Sequence, residues 1–299
     1  MAGGIIREKI VKWKVAATFH NLSLLSFLQK MTQNKFTNRF LKRSIENGFC
    51  RLNGSYELFA SKKLKTNDLV EMAIGLVEKK KDKKLKPMIF YEDDHLLVID
   101  KPVDLICEND AVSDYIGQKI LLAHRLDKRA SGLLILAKQK KVFEKMKNLF
   151  AKRNVDKTYI ALVDKPLKKK KGKIENYLAL KRAFQGQKIY GASKRGKHAL
   201  TYYSLICNTD KLSAVLCKLI TGRTHQLRVH LSEMDHPILG DFLYAKKFEY
   251  PYFVSRLFLH SYQISFVHPF ENKKMEFTSP LPGDFFKVIN KLPNSFLRK

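Results

Sequence analysis

His124-Arg125-Leu126-Asp127-Lys128-Arg129-Ala130-Ser131-Gly132-Leu133-Leu134-Ile135-Leu136-Ala137-Lys138 decides how the chain reads. Leu133 to Ala137 form a short, continuous apolar run of the kind found in buried strands. Ahead of it one carboxylate, Asp127, stands among three fixed cations, Arg125, Lys128 and Arg129. Asp127 is therefore expected on a loop at a strand end. Positive charge around it keeps such a carboxylate ionised and available as a nucleophile or base at neutral pH. The same residues also suit a structural Asp–Arg pair, and the local pattern leaves both readings open.

The whole chain adds a strong charge bias. Its 299 residues, 45% of them hydrophobic, suffice for one large domain and a small one with a sizeable core. Lys and Arg number 57 against 28 Asp and Glu, a net charge of +29 that points to a polyanionic partner. Nucleic acid is the first candidate and an anionic membrane the second. The apolar runs fall well short of the roughly 20 residues that span a bilayer. Arg7, Glu8, Lys9, Lys12 and Lys14 interrupt the N-terminus, which lacks the apolar core of a signal peptide, so a cytoplasmic protein is expected. Cys50, Cys107, Cys207 and Cys217 are scattered and expected to be reduced. The histidines form no metal pattern: His225 and His230 fall on different sides of a helix, and no metal site is expected.

Upstream of the central stretch, residues 18–78 read as a small unit behind an N-terminal extension, 1–17. Leu24, Leu25, Phe27, Leu28 and Met31 recur at helical spacing, as do Phe36, Phe40, Leu41 and Ile45. A helix stop at Gly48, a short strand, a turn at Asn53-Gly54 and a strand over 69–74 follow, with Lys35, Arg39, Lys42, Arg43 and Arg51 set around them. The run from Lys79 to Pro87 reads as a solvated basic linker, leaving 88–299 as the large domain.

In that domain, 89–92 and 95–100 read as two strands around the acidic turn Asp93-Asp94. A helix over 142–150 and a strand over 156–163 bearing Tyr159 follow the central stretch. Lys168 to Lys171 with Lys173 suggest a loop that lies on phosphate, and Gly186, Gly191 and Gly196 a polar loop. Further on, Thr221-Gly222-Arg223-Thr224-His225-Gln226-Leu227-Arg228-Val229-His230 leads to His236-Pro237-Ile238-Leu239-Gly240-Asp241. Gly222 ends a strand, Thr224 is placed to cap a helix, and Leu227, Leu231 and Met234 share its buried face with Arg228 on another.

His-Arg-Leu-Asp, then Ser-Gly-Leu-Leu and Ala-Lys, resembles the signature of the RluA class of pseudouridine synthases. The likeness extends over residues 89–283, through Asp100-Lys101-Pro102, Tyr159, Gln226-Leu227-Arg228 and His236 to Asp241. Ala130 stands where the class usually has Thr, and Asp104 where it usually has Gly. The helix–helix–hairpin order of 18–78 resembles an S-four-type RNA-binding domain.

The resemblance implies an α+β fold. Its catalytic domain is built on a bent, mostly antiparallel mixed sheet flanked by helices, preceded by a small α+β RNA-binding domain. It implies Asp127 as nucleophile, at ribose or uracil. Arg228 would pair with Asp127, and a bidentate fork is open to its guanidinium. Tyr159 would stack on an extruded uracil and Arg125 fill the gap left by the flipped nucleotide. Isomerisation without net redox change implies no cofactor, and the partner implied is RNA for a monomeric enzyme. Large-subunit ribosomal RNA is the expected substrate, with transfer RNA as the alternative. A non-catalytic ribosome-assembly factor on the same fold is the competing reading. RNA hydrolysis would need a second acid–base group or a metal site.

Overall fold

The computed structural model describes residues 10–74, 86–184, 187–245, 247–254, 256–290, 292, 293 and 296. The small unit comprises β1 (Ile10–Lys14), α1 (Leu24–Met31), α2 (Asn38–Glu46), β2 (Cys50–Leu52), β3 (Ser55–Tyr56) and β4 (Leu69–Ala73). Ser23 and Thr37 cap the two helices, their hydroxyls accepting from the backbone N–H groups of Ser26 and Phe40. Asn53 and Gly54, at φ 52° and 75°, make the tight turn between β2 and β3. The four strands run antiparallel in the order β1-β4-β2-β3.

Here the structure corrects the expected N-terminal extension over 1–17. Residues 10–14 are the outer strand of this sheet, with Lys12 opposite Glu71 and their side chains 2.7 Å apart. The lysines that hide the strand's alternation in the sequence are what an exposed edge tolerates. Residues 79–85 of the basic linker lie outside the described residues.

The large domain contributes β5 (Met88–Glu92), β6 (Leu96–Lys101), α3 (Asn109–Ile116), β7 (Leu121–Leu122), β8 (Ser131–Ala137), α4 (Lys140–Ala151), β9 (Val155–Asp164) and β10 (Lys171–Phe184). It continues with β11 (Gln187–Ala192), β12 (Lys197–Asn208), β13 (Leu212–Leu219), α5 (Gln226–Glu233), β14 (Leu259–Val267), β15 (Lys274–Thr278) and α6 (Gly283–Val288). The sheet runs β11-β10-β12-β13-β9-β14-β8-β6-β5, with β15 on β14 and β7 on β8. Among the described residues only β8 and β14 pair in parallel, so the sheet is mixed and mostly antiparallel, flanked by helices. Lys171 and Lys173 lie on β10 and Gly191 on β11, a hairpin where the sequence suggested loops; Lys173 is engaged by Glu175 at 2.9 Å.

One row of paired residues crosses the middle of the sheet: Cys217 on β13, Tyr159 on β9, Ser261 on β14, Gly132 on β8 and Lys101 on β6. This row sets the Asp127 loop, which ends at β8, beside Tyr159. Every residue of β8 is buried. Gly132 has φ 107°, and a Cβ there would lie 2.6 Å from the Ser261 backbone nitrogen. The close parallel approach of β8 and β14 thus requires glycine.

The two units share one apolar core. Leu41, Phe49, Tyr56 and Met72 of the small sheet and its helices cluster with Ile160, Leu162, Phe242, Phe253 and Phe258 of the large domain. Gly132→Ala should destabilise the protein by about 3 kcal/mol, through positive φ and the backbone clash together. Urea unfolding of the two forms measures it.

Candidate active site

The Asp127 loop is a tight turn, closed by the Ala130 N–H on the Asp127 carbonyl at 3.0 Å. Behind it, the fully buried Lys101 ammonium donates to the carbonyls of Pro102 (2.8 Å), Leu105 (3.0 Å) and Lys128 (3.2 Å). Burial pushes that ammonium down to about 8. So enclosed, Lys101 cannot touch phosphate, and its role is structural. Asp104 adopts the left-handed conformation, φ 70°, and its N–H also donates to the Lys128 carbonyl, at 2.8 Å. The Leu126 N–H points at the Cys107 sulfur, 3.4 Å away.

Histidines tie both flanks of the loop. His124 Nε2 accepts the Ile135 N–H at 2.9 Å. After the loop, His260 Nε2 donates to the Ser279 carbonyl at 3.1 Å, which leaves Nδ1 to accept the Ser131 hydroxyl at 2.8 Å. Arg256 donates to the same hydroxyl.

Arg228, on α5, reaches the loop from the far side. Its Nη1 lies 3.3 Å from Asp127 Oδ2, while Nε and Nη2 each donate at 2.8 Å to the two oxygens of Asp241. The bidentate fork is therefore on Asp241, not on Asp127 as the sequence reading allowed. Burial works against the Arg228 charge, but Asp241 and then Asp127 outweigh it and hold the guanidinium above its usual range. The Asp241 side chain is fully enclosed, whereas a quarter of Asp127 is exposed. The nucleophile candidate thus keeps an open face.

His225 stands 3.9 Å from the other Asp127 oxygen, at φ 57° and as the first, half-in residue of α5. It displaces Thr224 from the expected capping position. Its Nδ1 is 2.8 Å from the Tyr244 hydroxyl, which accepts the Tyr190 N–H at 3.0 Å. Burial, then Arg228, pushes His225 below its usual range, so the ring is neutral. Tyr159 is 7% exposed and packs with Leu126, Ala130, Leu227 and Leu257. Burial raises its hydroxyl well above the usual tyrosine range, so it stays protonated at neutral pH and the ring offers an apolar face. Arg125 is exposed beside Asp127.

The structure thus brings Asp127, Tyr159 and Arg228 together and leaves Arg125 at the surface next to them. Sequence reasoning missed His225, Asp241 and Tyr244. Asp241 had a signal, as the acid closing the run from His236.

Among the described residues one trio has ligand atoms within 4.8 Å of one another, Asp93, His268 and Glu271. His268 Nδ1 accepts backbone N–H groups from Phe270 and Glu271, so Nε2 carries the proton and faces Asp93 at 3.1 Å. Asp93 also accepts from Tyr91 and the His95 and Leu96 N–H groups, closing the turn between β5 and β6.

A sequence profile of RNA pseudouridylate synthases matches residues 95–233, from β6 through the Asp127 loop to the end of α5. The chain is 31% identical over 296 residues to a ribosomal large subunit pseudouridine synthase C of Buchnera aphidicola, covering 91% of this chain and 94% of that protein. It is 33% identical over 218 residues to an uncharacterised RNA pseudouridine synthase of Mycoplasma pneumoniae, covering 68% of this chain and 70% of the other. Among solved structures it is similar to human RNA pseudouridylate synthase domain containing 1, with TM-score 0.60 and 25% identity over 69% of this chain and 89% of that one. These likenesses place the chain among RNA-modifying isomerases. The chain belongs to the RNA pseudouridylate synthase family, and within it to the RluA class.

Two outcomes follow from the buried ionisable groups. Asp241→Ala strips Arg228 of its fork and should cost about 3 to 5 kcal/mol of stability, read by urea unfolding. Burial pushes His124, His230 and His260 down to about 3, 4 and 3. In the unfolded chain they titrate near the ordinary value of about 6.5, so their neutral burial favours folding fully above that pH and progressively less below it. At pH 5 each should have lost about 2 kcal/mol, and the urea midpoint should fall steeply between pH 7 and 5. A flat midpoint would contradict neutral burial.

Proposed function

We propose that this enzyme isomerises uridines of large-subunit ribosomal RNA, with Asp127 as the nucleophile. The observation that carries the reading is the division of labour around Arg228: Asp241 takes the fork and Asp127 is left held at one oxygen and open on one face. The substrate follows the printed names of relatives such as the Buchnera protein.

In the reaction the N1–C1′ bond breaks, C5–C1′ forms, C5 loses its proton and N1 gains one. Atoms balance within the base and water, so no cofactor is called for. Asp127 attacks ribose or uracil, and Arg228 orients it through one hydrogen bond. The Tyr159 ring supports the extruded base from an apolar face, and the exposed Arg125 replaces its stacking in the RNA. Lys35, Arg39, Lys42 and Arg43 are exposed on and before α2, which supports an S-four-type RNA-binding role for the small unit. Among the described residues no helix is long and apolar enough to cross a membrane.

Tritium release from ribosomal RNA transcripts labelled at uridine C5 tests this, because that hydrogen leaves only when C5 becomes the glycosidic carbon. Release is expected from the unaltered protein and none from Asp127→Asn, with RNA affinity retained. An active Asn variant overturns the role of Asp127; release from transfer RNA alone overturns the substrate.

A further inference from the structure

Asp241, which grips Arg228, is followed by Phe242, and that ring is where the small unit meets the catalytic centre. Phe242 is 5% exposed and stacks on Tyr56 of β3 with ring centroids 4.2 Å apart. Gly48, just past α2, approaches so closely that a Cβ there would lie 2.7 Å from the Phe242 Cζ. The guanidinium of Arg129, two residues beyond Asp127, lies 5.4 Å over the same ring.

Tyr56 is itself immobilised. Arg51 donates to its hydroxyl at 2.5 Å, lies over its ring at 4.5 Å and over Phe253 at 4.2 Å, and donates to the Pro251 carbonyl at 3.1 Å. The Tyr56 ring also meets Phe248 and Phe253 edge-on, at 5.7 and 5.6 Å. Arg51, grouped in the sequence with the cations around the small unit, is spent inside this contact.

A surface that only tethered RNA would have no need of an aromatic box closed around the residue after Asp241. The fork between Asp241 and Arg228 depends on two parallel hydrogen bonds, and displacement of the carboxylate by about 1 Å breaks that geometry. We propose that the small unit completes the catalytic centre. Tyr56 is a positioning residue that acts through Phe242 on the chain Asp241–Arg228–Asp127. The small unit thereby sets the rate of the chemical step as well as the grip on RNA. The inference rests on the synthase mechanism proposed above.

The test uses the full chain, with single-turnover tritium release at saturating RNA and, separately, RNA affinity by filter binding. Tyr56→Ala should lower the saturated rate about tenfold with affinity unchanged. Tyr56→Phe, which keeps the stacked ring, should restore it. Phe242→Leu should be slowed similarly, and the Tyr56→Ala, Phe242→Leu double variant should be no slower than the slower single one, because both break one linkage. A wild-type saturated rate in Tyr56→Ala or in Phe242→Leu overturns the proposal, whatever the affinities. If Tyr56→Ala does not fold, Phe242→Leu alone decides by the same criterion. Silence of the unaltered protein on every RNA overturns the mechanism and this inference with it, whereas an active parent with unslowed variants overturns the coupling alone.

Discussion

A guanidinium buried between two carboxylates governs this structure. Arg228 cannot be enclosed without a partner, and Asp241 supplies both a neutralising charge and the geometry that suits a planar fork. With Asp241 committed, the remaining nitrogen reaches Asp127 at a single, longer contact of 3.3 Å. A fork on Asp127 would have used both its oxygens and quenched it. The third partner extends a structural ion pair into an arrangement in which the second acid is oriented and accessible together.

Such an arrangement works only if the loop bearing Asp127 holds still, and its restraints come from groups with no chemistry of their own. Lys101 spends its three protons on carbonyls of two loops, and Asp104 accepts an unfavourable backbone conformation to add a fourth tie at Lys128. Asp104 also stands close enough to Arg129 and Arg256 for its charge to oppose the burial that lowers both. A glycine there would relax the backbone and remove a carboxylate from among buried cations. Ala130, where a hydroxyl is more usual, is 1% exposed and lines the apolar cluster that includes Tyr159.

What could be read from the sequence was what local pattern encodes. Leu133 to Ala137 had to be a buried strand, so Asp127 had to precede one; Leu227 and Leu231 had to face inward, which turned Arg228 elsewhere. The fork on Asp241 lay beyond reach because it depends on how the turn at Gly240 meets α5, a tertiary fact with no periodicity. The hairpin of β10 and β11 was missed for a different reason: its exposed residues include Tyr177 and Leu180 among charges, and Gly191 lies within it. It lacks the alternation that marks a half-buried strand. β1 was hidden in the same way by Lys12 and Lys14.

The net charge of +29 also changes meaning once the cations are placed. Lys101, Arg129, Arg228 and Arg256 are interior, engaged by carbonyls, rings and carboxylates, and release no counterion when RNA binds. Arg51 is consumed at the junction of the two units. Lys35, Arg39, Lys42 and Arg43 on the small unit, with Arg125 and Lys128 beside Asp127, are exposed. Salt sensitivity scales with phosphates neutralised at the surface and not with total charge. The same residue types therefore do two separable jobs: an inner set holds the acid in place, and an outer set brings the polyanion to it.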